Sequence, residues 1–400
     1  MRSTNIKIIV RFFLMLVSAT AINSCVEPYE FETETFEDML VVEALITDEV
    51  KRQEIILSRT YRLEEEVPAA ERNASVSITD DTGNEFTFFE TVTPGVYASN
   101  MIFGLQPNRS YQLHIQTQDG RSYESDTAAF LPGAEIDELY AERTFLNGED
   151  GVALMVDSES SSAASNFALY EYEETYKIVS PYTVRNTIEF EGNNWSIVPN
   201  TRNETVCYNT IPSNEIILSN TSSLSENNLK SFVVRFLTKD NPVLAHRYSI
   251  LVKQYSLTPE AYSYYSTLKK ISGSESVLSD NQPGFVNGNI YSQENEDDKV
   301  IGFFTLSATS TERIYFNYYD YFGFDESRPQ FPESCMIFRP GENFDTPIGM
   351  IQGGTVRYYG LAGSPVEGEL GDGPMRVIAT ECVDCTVYGT NEPPEFWIEE

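Results

Sequence analysis

The chain has 400 residues, with 61 acidic against 27 basic side chains and a formal net charge of -34. So negative a surface repels nucleic acid and anionic lipid, which excludes a role built on phosphate binding; solubility alone accounts for the acidity. A hydrophobic content of 41%, with 24 Tyr and 24 Phe, fills real cores and excludes wholesale disorder, and the length allows two or three domains.

Arg2, Lys7 and Arg11 flank the start of an apolar run, Phe12-Phe13-Leu14-Met15-Leu16-Val17. The run trails into Ser18, Ala19 and Ala21 and reaches Ile22-Asn23-Ser24-Cys25 with no acidic residue on the way. A basic start, an apolar middle and a small residue before a cut resemble a bacterial lipoprotein signal peptide over residues 1–24. The small Ser24 lets a peptidase close on the backbone, and Cys25 offers a thiol for a thioether-linked lipid. The apolar run is too short to cross ~30 Å of hydrocarbon, which takes about 20 residues. The expected mature protein is a soluble body held on outer-membrane lipid through Cys25, and loss of Arg2, Lys7 and Arg11 takes its charge from -34 to -37.

Residues 25–38 then carry Glu27, Glu30, Glu32, Glu34, Glu37 and Asp38 with no basic residue. That composition reads as a solvated tether. It also resembles the export address of Bacteroidota lipoproteins, which implies exposure at the cell surface.

From Leu40 onward the pattern is short strands broken by turns. Leu40 to Ile46 is apolar and bounded by acids; Ser75 to Thr79 alternates, Asp80 to Asn84 turns, and Glu85 to Phe89 returns as a hairpin. Tyr111, Leu113 and Ile115 share one face of the next strand, and Asp119-Gly120 turns into Arg121-Ser122-Tyr123. This spacing predicts an immunoglobulin-like β-sandwich over 39–131, with Pro132-Gly133 as its boundary. Residues 132–400 read as a larger β-rich domain. Its expected strands include Val152–Val156, Phe167–Tyr172, Phe232–Leu237, Val300–Phe304 and Arg313–Phe316. The Ser-rich stretch Asp157–Asn166 reads as loop, and so does Asn200–Asn228 apart from a strand at Ile216–Leu218. His246 to Tyr255 reads as a long strand with Tyr248, Ile250, Val252 and Gln254 on one face. One short helix is expected near 259–271: Thr258 caps it, Pro259 opens it, Leu257 staples onto Tyr262 and Gly273 ends it.

Four cysteines follow Cys25: Cys207, Cys335, Cys382 and Cys385. An even count outside the cytoplasm favours disulfides, with three pairings open. Cys382-Val383-Asp384-Cys385 has zinc-ligand spacing, but a second close pair is missing, so no metal is expected. A redox pair would sit at a helix start, whereas this one reads as lying in a β-like context. Cys382 could bond to Cys385, or each could reach Cys207 or Cys335. The second arrangement is the expected one, because it would tie the C-terminal segment with Phe396 and Trp397 onto the second domain.

Little else suggests chemistry. His114 lies on the polar face of its strand with Gln112 and Gln116, and His246 starts a strand; neither neighbours a nucleophile. The acids of Glu149-Asp150-Gly151 and of Glu294 to Asp298 lack the spacing of a calcium loop. Phosphate-cradling glycine loops are absent, so no cofactor is expected. Asp126-Thr127-Ala128 resembles a short motif for O-linked glycosylation of exported Bacteroidota proteins, which makes Thr127 a candidate acceptor.

Taken together, Phe36 to Glu43, Ser58-Arg59-Thr60-Tyr61, Pro107 to Leu113 and Glu173-Glu174-Thr175-Tyr176 are similar to a Bacteroidota lipoprotein family, domain of unknown function 4249. Val252 to Leu257, Gly288-Asn289-Ile290, Cys382 to Thr386 and Pro394-Glu395-Phe396-Trp397 extend the resemblance over nearly everything after Cys25. Members resemble accessory lipoproteins encoded beside TonB-dependent transporters. The resemblance implies a non-enzymatic partner of such a transporter, in nutrient capture or assembly. An independent glycan- or peptide-binding surface module is the alternative, and an exported hydrolase ranks third.

Overall fold

A computed structural model describes residues 38–61, 68–159, 166–192, 194–222, 228–272, 286–332, 334–363 and 370–399. The expected signal peptide, Cys25 and the acidic tether before Asp38 lie outside the described residues, as does Gly273. The chain is mainly β, with 50% strand and 10% helix.

The first strands are β1 (Leu40–Thr47), β2 (Glu54–Arg59), β3 (Ser75–Asp80), β4 (Glu85–Glu90), β5 (Val96–Ser99), β6 (Ser110–Gln116), β7 (Ser122–Ser125) and β8 (Ala128–Ala129). Alternation decides which face is buried. Leu40, Val42, Ala44 and Ile46 of β1 point inward, as do Ile55 and Leu57 of β2 and Tyr111, Leu113 and Ile115 of β6. The expected hairpin pairs Val76 with Phe88 and Thr79 with Glu85. Asp80 organises its turn by accepting from the backbone N–H groups of Thr82 and Asn84, both at 2.9 Å.

The chain then runs through β9 (Glu135–Leu146), β10 (Glu149–Glu159), β11 (Phe167–Val179), β12 (Asn186–Glu191), β13 (Asn194–Pro199), β14 (Val206–Pro212), β15 (Ile217–Asn220), β16 (Asn228–Thr238) and β17 (Tyr248–Leu257). Strands β9, β10 and β16 make one sheet. Its apolar residues Leu139, Val152, Leu154, Val156 and Val234 pack against Tyr170, Ile178, Tyr248, Ile250 and Val252 of a second sheet. The expected inward face of β17 is observed: Tyr248, Ile250, Val252 and Gln254 are all buried. His246 lies just before this strand rather than in it, and β14 is a strand where loop is expected.

Thr258 caps the helix Pro259–Ser272: its Oγ1 accepts from Ala261 N at 3.2 Å and its carbonyl from Tyr262 N at 2.9 Å. Leu257 and Tyr262 share a small apolar cluster with Ala261, as the expected staple requires.

After the helix, β18 (Ile290–Ser292) and β19 (Val300–Ser307) return to the first unit. There β18 pairs with β7, and β19 pairs in parallel with all of β1, from Leu40 opposite Val300 to Thr47 opposite Ser307. Among the described residues this makes a ten-stranded sheet in the order β18-β7-β6-β3-β4-β5-β2-β1-β19, with β8 on β6. Asn289 fastens its two ends together: Phe304 N donates to Asn289 Oδ1 at 2.7 Å, and Asn289 Nδ2 donates to Phe304 O at 3.1 Å. The approach demands glycine, since a Cβ on Gly288 would lie 1.6 Å from Gly302 O. Pairing across the sheet makes the first unit include residues 290–292 and 300–307.

Beyond Ala308 the chain enters the second unit as β20 (Thr309–Phe316), paired with β17. The C-terminal part adds β21 (Ile337–Arg339), a second short helix Asp345–Gln352, β22 (Val356–Leu361), β23 (Leu370–Gly371) and β24 (Met375–Ala379). The last four strands form their own sheet, covered by the β12–β13 hairpin through Ile188 and Phe190.

Gln254 carries the polar connection inside the core. Fully buried, it accepts from Tyr170 OH at 2.9 Å and donates to Ala134 O at 2.9 Å, at the junction between the units. Gln254→Leu removes the acceptor of Tyr170 OH, which keeps only its contact with Ser219, and the donor to Ala134 O, and an unsatisfied buried group costs about 1–3 kcal/mol. Urea denaturation is expected to show a loss in that range; a change within experimental error contradicts this account of the junction.

Candidate functional site

The structure joins Cys207 to Cys385 and Cys335 to Cys382, with Cα–Cα distances of 5.6 and 5.7 Å. Each cysteine of the Cys-x-x-Cys segment thus reaches a distant partner. Their setting is corrected, because both lie in single 3-10 turns, Thr380–Cys382 and Cys385–Val387, and not in β structure. Asp384 between them sets the geometry. Its Oδ1 accepts from Thr386 N at 3.0 Å, and its other oxygen takes Arg357, which also reaches Glu204 at 3.3 Å. Burial pushes the Asp384 carboxyl up, but the hydrogen bonds from Thr386 and Arg357 hold it below the usual carboxylate range. Glu204 O in turn accepts from Cys385 N at 2.9 Å, so the ion cluster and the bridge share one backbone.

The C-terminal segment is held beside this bridge. Trp397 packs edge-on against Tyr208 at 5.0 Å, and Arg313 lies over the Phe396 ring at 3.6 Å. Glu399 accepts from Tyr208 OH at 2.7 Å and pairs with Lys177 at 3.0 Å. Burial and the facing Glu399 push the Tyr208 hydroxyl up to about 12.

Lys177 and Glu399 form one wall of a cleft of about 470 Å³ at the end of the second unit. Arg328 lines the same cleft, and its guanidinium lies 3.4 Å from His246 Nδ1. Among the described residues, Arg328 has no carboxylate partner. His246 is driven down to about 4, by burial first and then by the charges of Arg328 and Lys177, so it is neutral at pH 7 and its Nδ1 accepts from Arg328. Arg247 stands on the same side, over the Tyr315 ring at 5.4 Å. The mouth carries Phe324, 87% exposed, stacked on Tyr319 at 4.8 Å. Three cations thus meet an open aromatic ring on a chain that is otherwise strongly acidic. Residues 177, 246–247, 319–328 and 399 carry no local motif, and only the fold brings them together.

A larger cleft, about 860 Å³, lies between the Pro259–Ser272 helix and β19. Thr127 is exposed among its lining residues. His114 bonds Thr79 Oγ1 at 3.0 Å within its sheet. Among the described residues, no group of three or more His, Cys, Asp or Glu side chains is arranged to hold a metal ion. No described helix is long and apolar enough to cross a membrane.

Peptide mapping without reductant is expected to recover Cys207–Cys385 and Cys335–Cys382, and no Cys382–Cys385 peptide. The double variant Cys207→Ser/Cys385→Ser removes a cross-link spanning 178 residues and is expected to lose about 2–5 kcal/mol of stability. Four free thiols, or an unchanged denaturation midpoint, contradicts the bracing role.

Comparison with known proteins bears on the family alone. No curated protein matches the chain. A crystal structure of a DUF4785 family protein from Legionella pneumophila is similar over 54% of this chain, with 9% identity and a TM-score of 0.18, a likeness that carries no argument. The chain spans about half of that structure, 52% of its length. The family described as domain of unknown function (DUF4249) matches residues 26–313, most of the sequence, and the chain therefore belongs to it.

Proposed function

We propose that this protein is a lipid-anchored accessory protein of the outer membrane, tethered through Cys25, and a partner of a TonB-dependent transporter in nutrient capture or assembly. The observation that carries the reading is the pair of disulfides, Cys207–Cys385 buried and Cys335–Cys382 partly so. Such bridges persist in oxidising compartments, and a lipoprotein leader ending at Ser24, before Cys25, would lead to one. The acidic run from Glu27 to Asp38 would hold the body away from the membrane and direct it to the cell surface. Thr127, exposed on its strand connection, is accessible as a glycosylation acceptor. A second reading, an independent surface-binding module, draws on the cleft between Lys177 and Arg328.

Purification of the anchored protein from its native membrane tests the first reading. The expected outcome is a stoichiometric β-barrel partner. A monomer that brings no membrane protein with it favours the second. Cys25→Ser is expected to leave an uncleaved or soluble precursor, and normal membrane partition with lipid still attached contradicts the anchor.

A further inference from the structure

The geometry points to the cleft between Lys177 and Arg328 as a binding site for a saccharide carrying a single carboxylate, a uronic or sialic acid unit on an otherwise neutral sugar. The inference rests on the capture part of the reading above and names its ligand class.

Charge is the first argument. The chain has 61 acidic and 27 basic side chains, yet Lys177, Arg247 and Arg328 converge on one cleft of about 470 Å³. Two of the three are partly engaged. Lys177 pairs with Glu399, and Arg247 donates to Ile398 O at 2.6 Å. Arg328 is different. It is exposed and meets a neutral imidazole, which accepts one hydrogen bond and offers no opposite charge. A planar guanidinium in this state matches a carboxylate, with two parallel N–H donors for its two oxygens.

The second argument is the aromatic pair. Tyr319 covers one face of Phe324 at an interplanar angle of 26°, and the 87% exposure of Phe324 leaves the other face to solvent. The stacked pair presents a flat apolar ring face beside the three cations of the cleft. The C–H face of a pyranose lies flat on such a ring, while its hydroxyls can donate to the carboxylates of Asp320 and Glu399 at the rim. An acidic peptide would use the cations but has no flat apolar face to present to Phe324.

The third argument limits the ligand's charge. A polyanion would be repelled by the field of the whole chain. One carboxylate, placed at Arg328 and carried on a neutral chain, meets the local cations without that penalty.

The test is calorimetry with the purified mature protein in detergent. The probes are 3′-sialyllactose and 4-O-methylglucuronosyl-xylobiose, with lactose and xylotriose as neutral counterparts and tetraglutamate as the peptide control. At least one acidic saccharide is expected to bind about tenfold or more tightly than its neutral counterpart. Arg328→Gln and Phe324→Ala are each expected to weaken that binding by about tenfold with unchanged circular dichroism, since both side chains are exposed. The inference is overturned if neither acidic saccharide binds, if the neutral sugars bind equally, if tetraglutamate binds more tightly, or if either variant binds like the parent. A transporter that co-purifies with the protein while these probes fail removes the ligand class and leaves the transporter reading standing.

Discussion

The structure depends on one run of chain, Val300 to Phe316, that serves both units. Its first half is β19, paired in parallel with β1 across some 260 intervening residues; its second half is β20, on the edge of the other sheet against β17. A parallel pair needs a crossover, and here the chain between β1 and β19 holds the rest of the first sheet and the strands β9 to β17 of the second unit. Two hydrogen bonds hold the bend between the halves. Ser307 Oγ donates to Ser256 O at 3.0 Å, and Thr309 N donates to Asp48 Oδ1 at 2.9 Å. Burial raises the Asp48 carboxyl above its usual range, although the backbone bond from Thr309 works against that shift. The junction is therefore polar and directionally bonded, although the buried Thr309 Oγ1 finds no partner, and these bonds favour one relative placement of the two units over a sliding contact.

Beyond this junction the C-terminal sheet is attached by different means. Its small core of Val356, Tyr358, Met375 and Val377 is modest. The bridge Cys207–Cys385 and the Arg357–Asp384–Glu204 cluster fasten the segment after it to β14. That attachment has a functional consequence. The chain end carrying Phe396, Trp397 and Glu399 is brought back against Lys177 and Tyr208, and Glu399 becomes a wall of the basic cleft. The bridge and these contacts together hold the segment that supplies Glu399 to the cleft.

What was legible in the sequence was local. The hairpin around Asp80–Asn84, the alternation of Tyr111, Leu113 and Ile115, the buried face of β17 and the capped helix at Pro259 all follow from patterns within a dozen residues. Pro132-Gly133 lies just before the junction, where Ala134 N donates to Ser256 Oγ. It could not reveal that two later strands return, because strand pairing over such a distance leaves no local trace. Strand β14 was hidden for another reason. Val206–Pro212 sits in Asn- and Thr-rich surroundings, and its outer half, Thr210 to Pro212, is exposed, so alternation is weak there. The cleft was hidden most fully, assembled as it is from four separate parts of the chain.

The claim that β19 completes the first unit is tested most directly by producing residues 39–131 alone and following amide proton dispersion and thermal unfolding. The account predicts a fragment without a cooperative transition, because β1 lacks its parallel partner and the edge at β7 lacks β18. Appending residues 286–308 through a flexible linker should restore both dispersion and cooperativity. A fragment 39–131 that unfolds cooperatively by itself, with β1 amides protected, would contradict it.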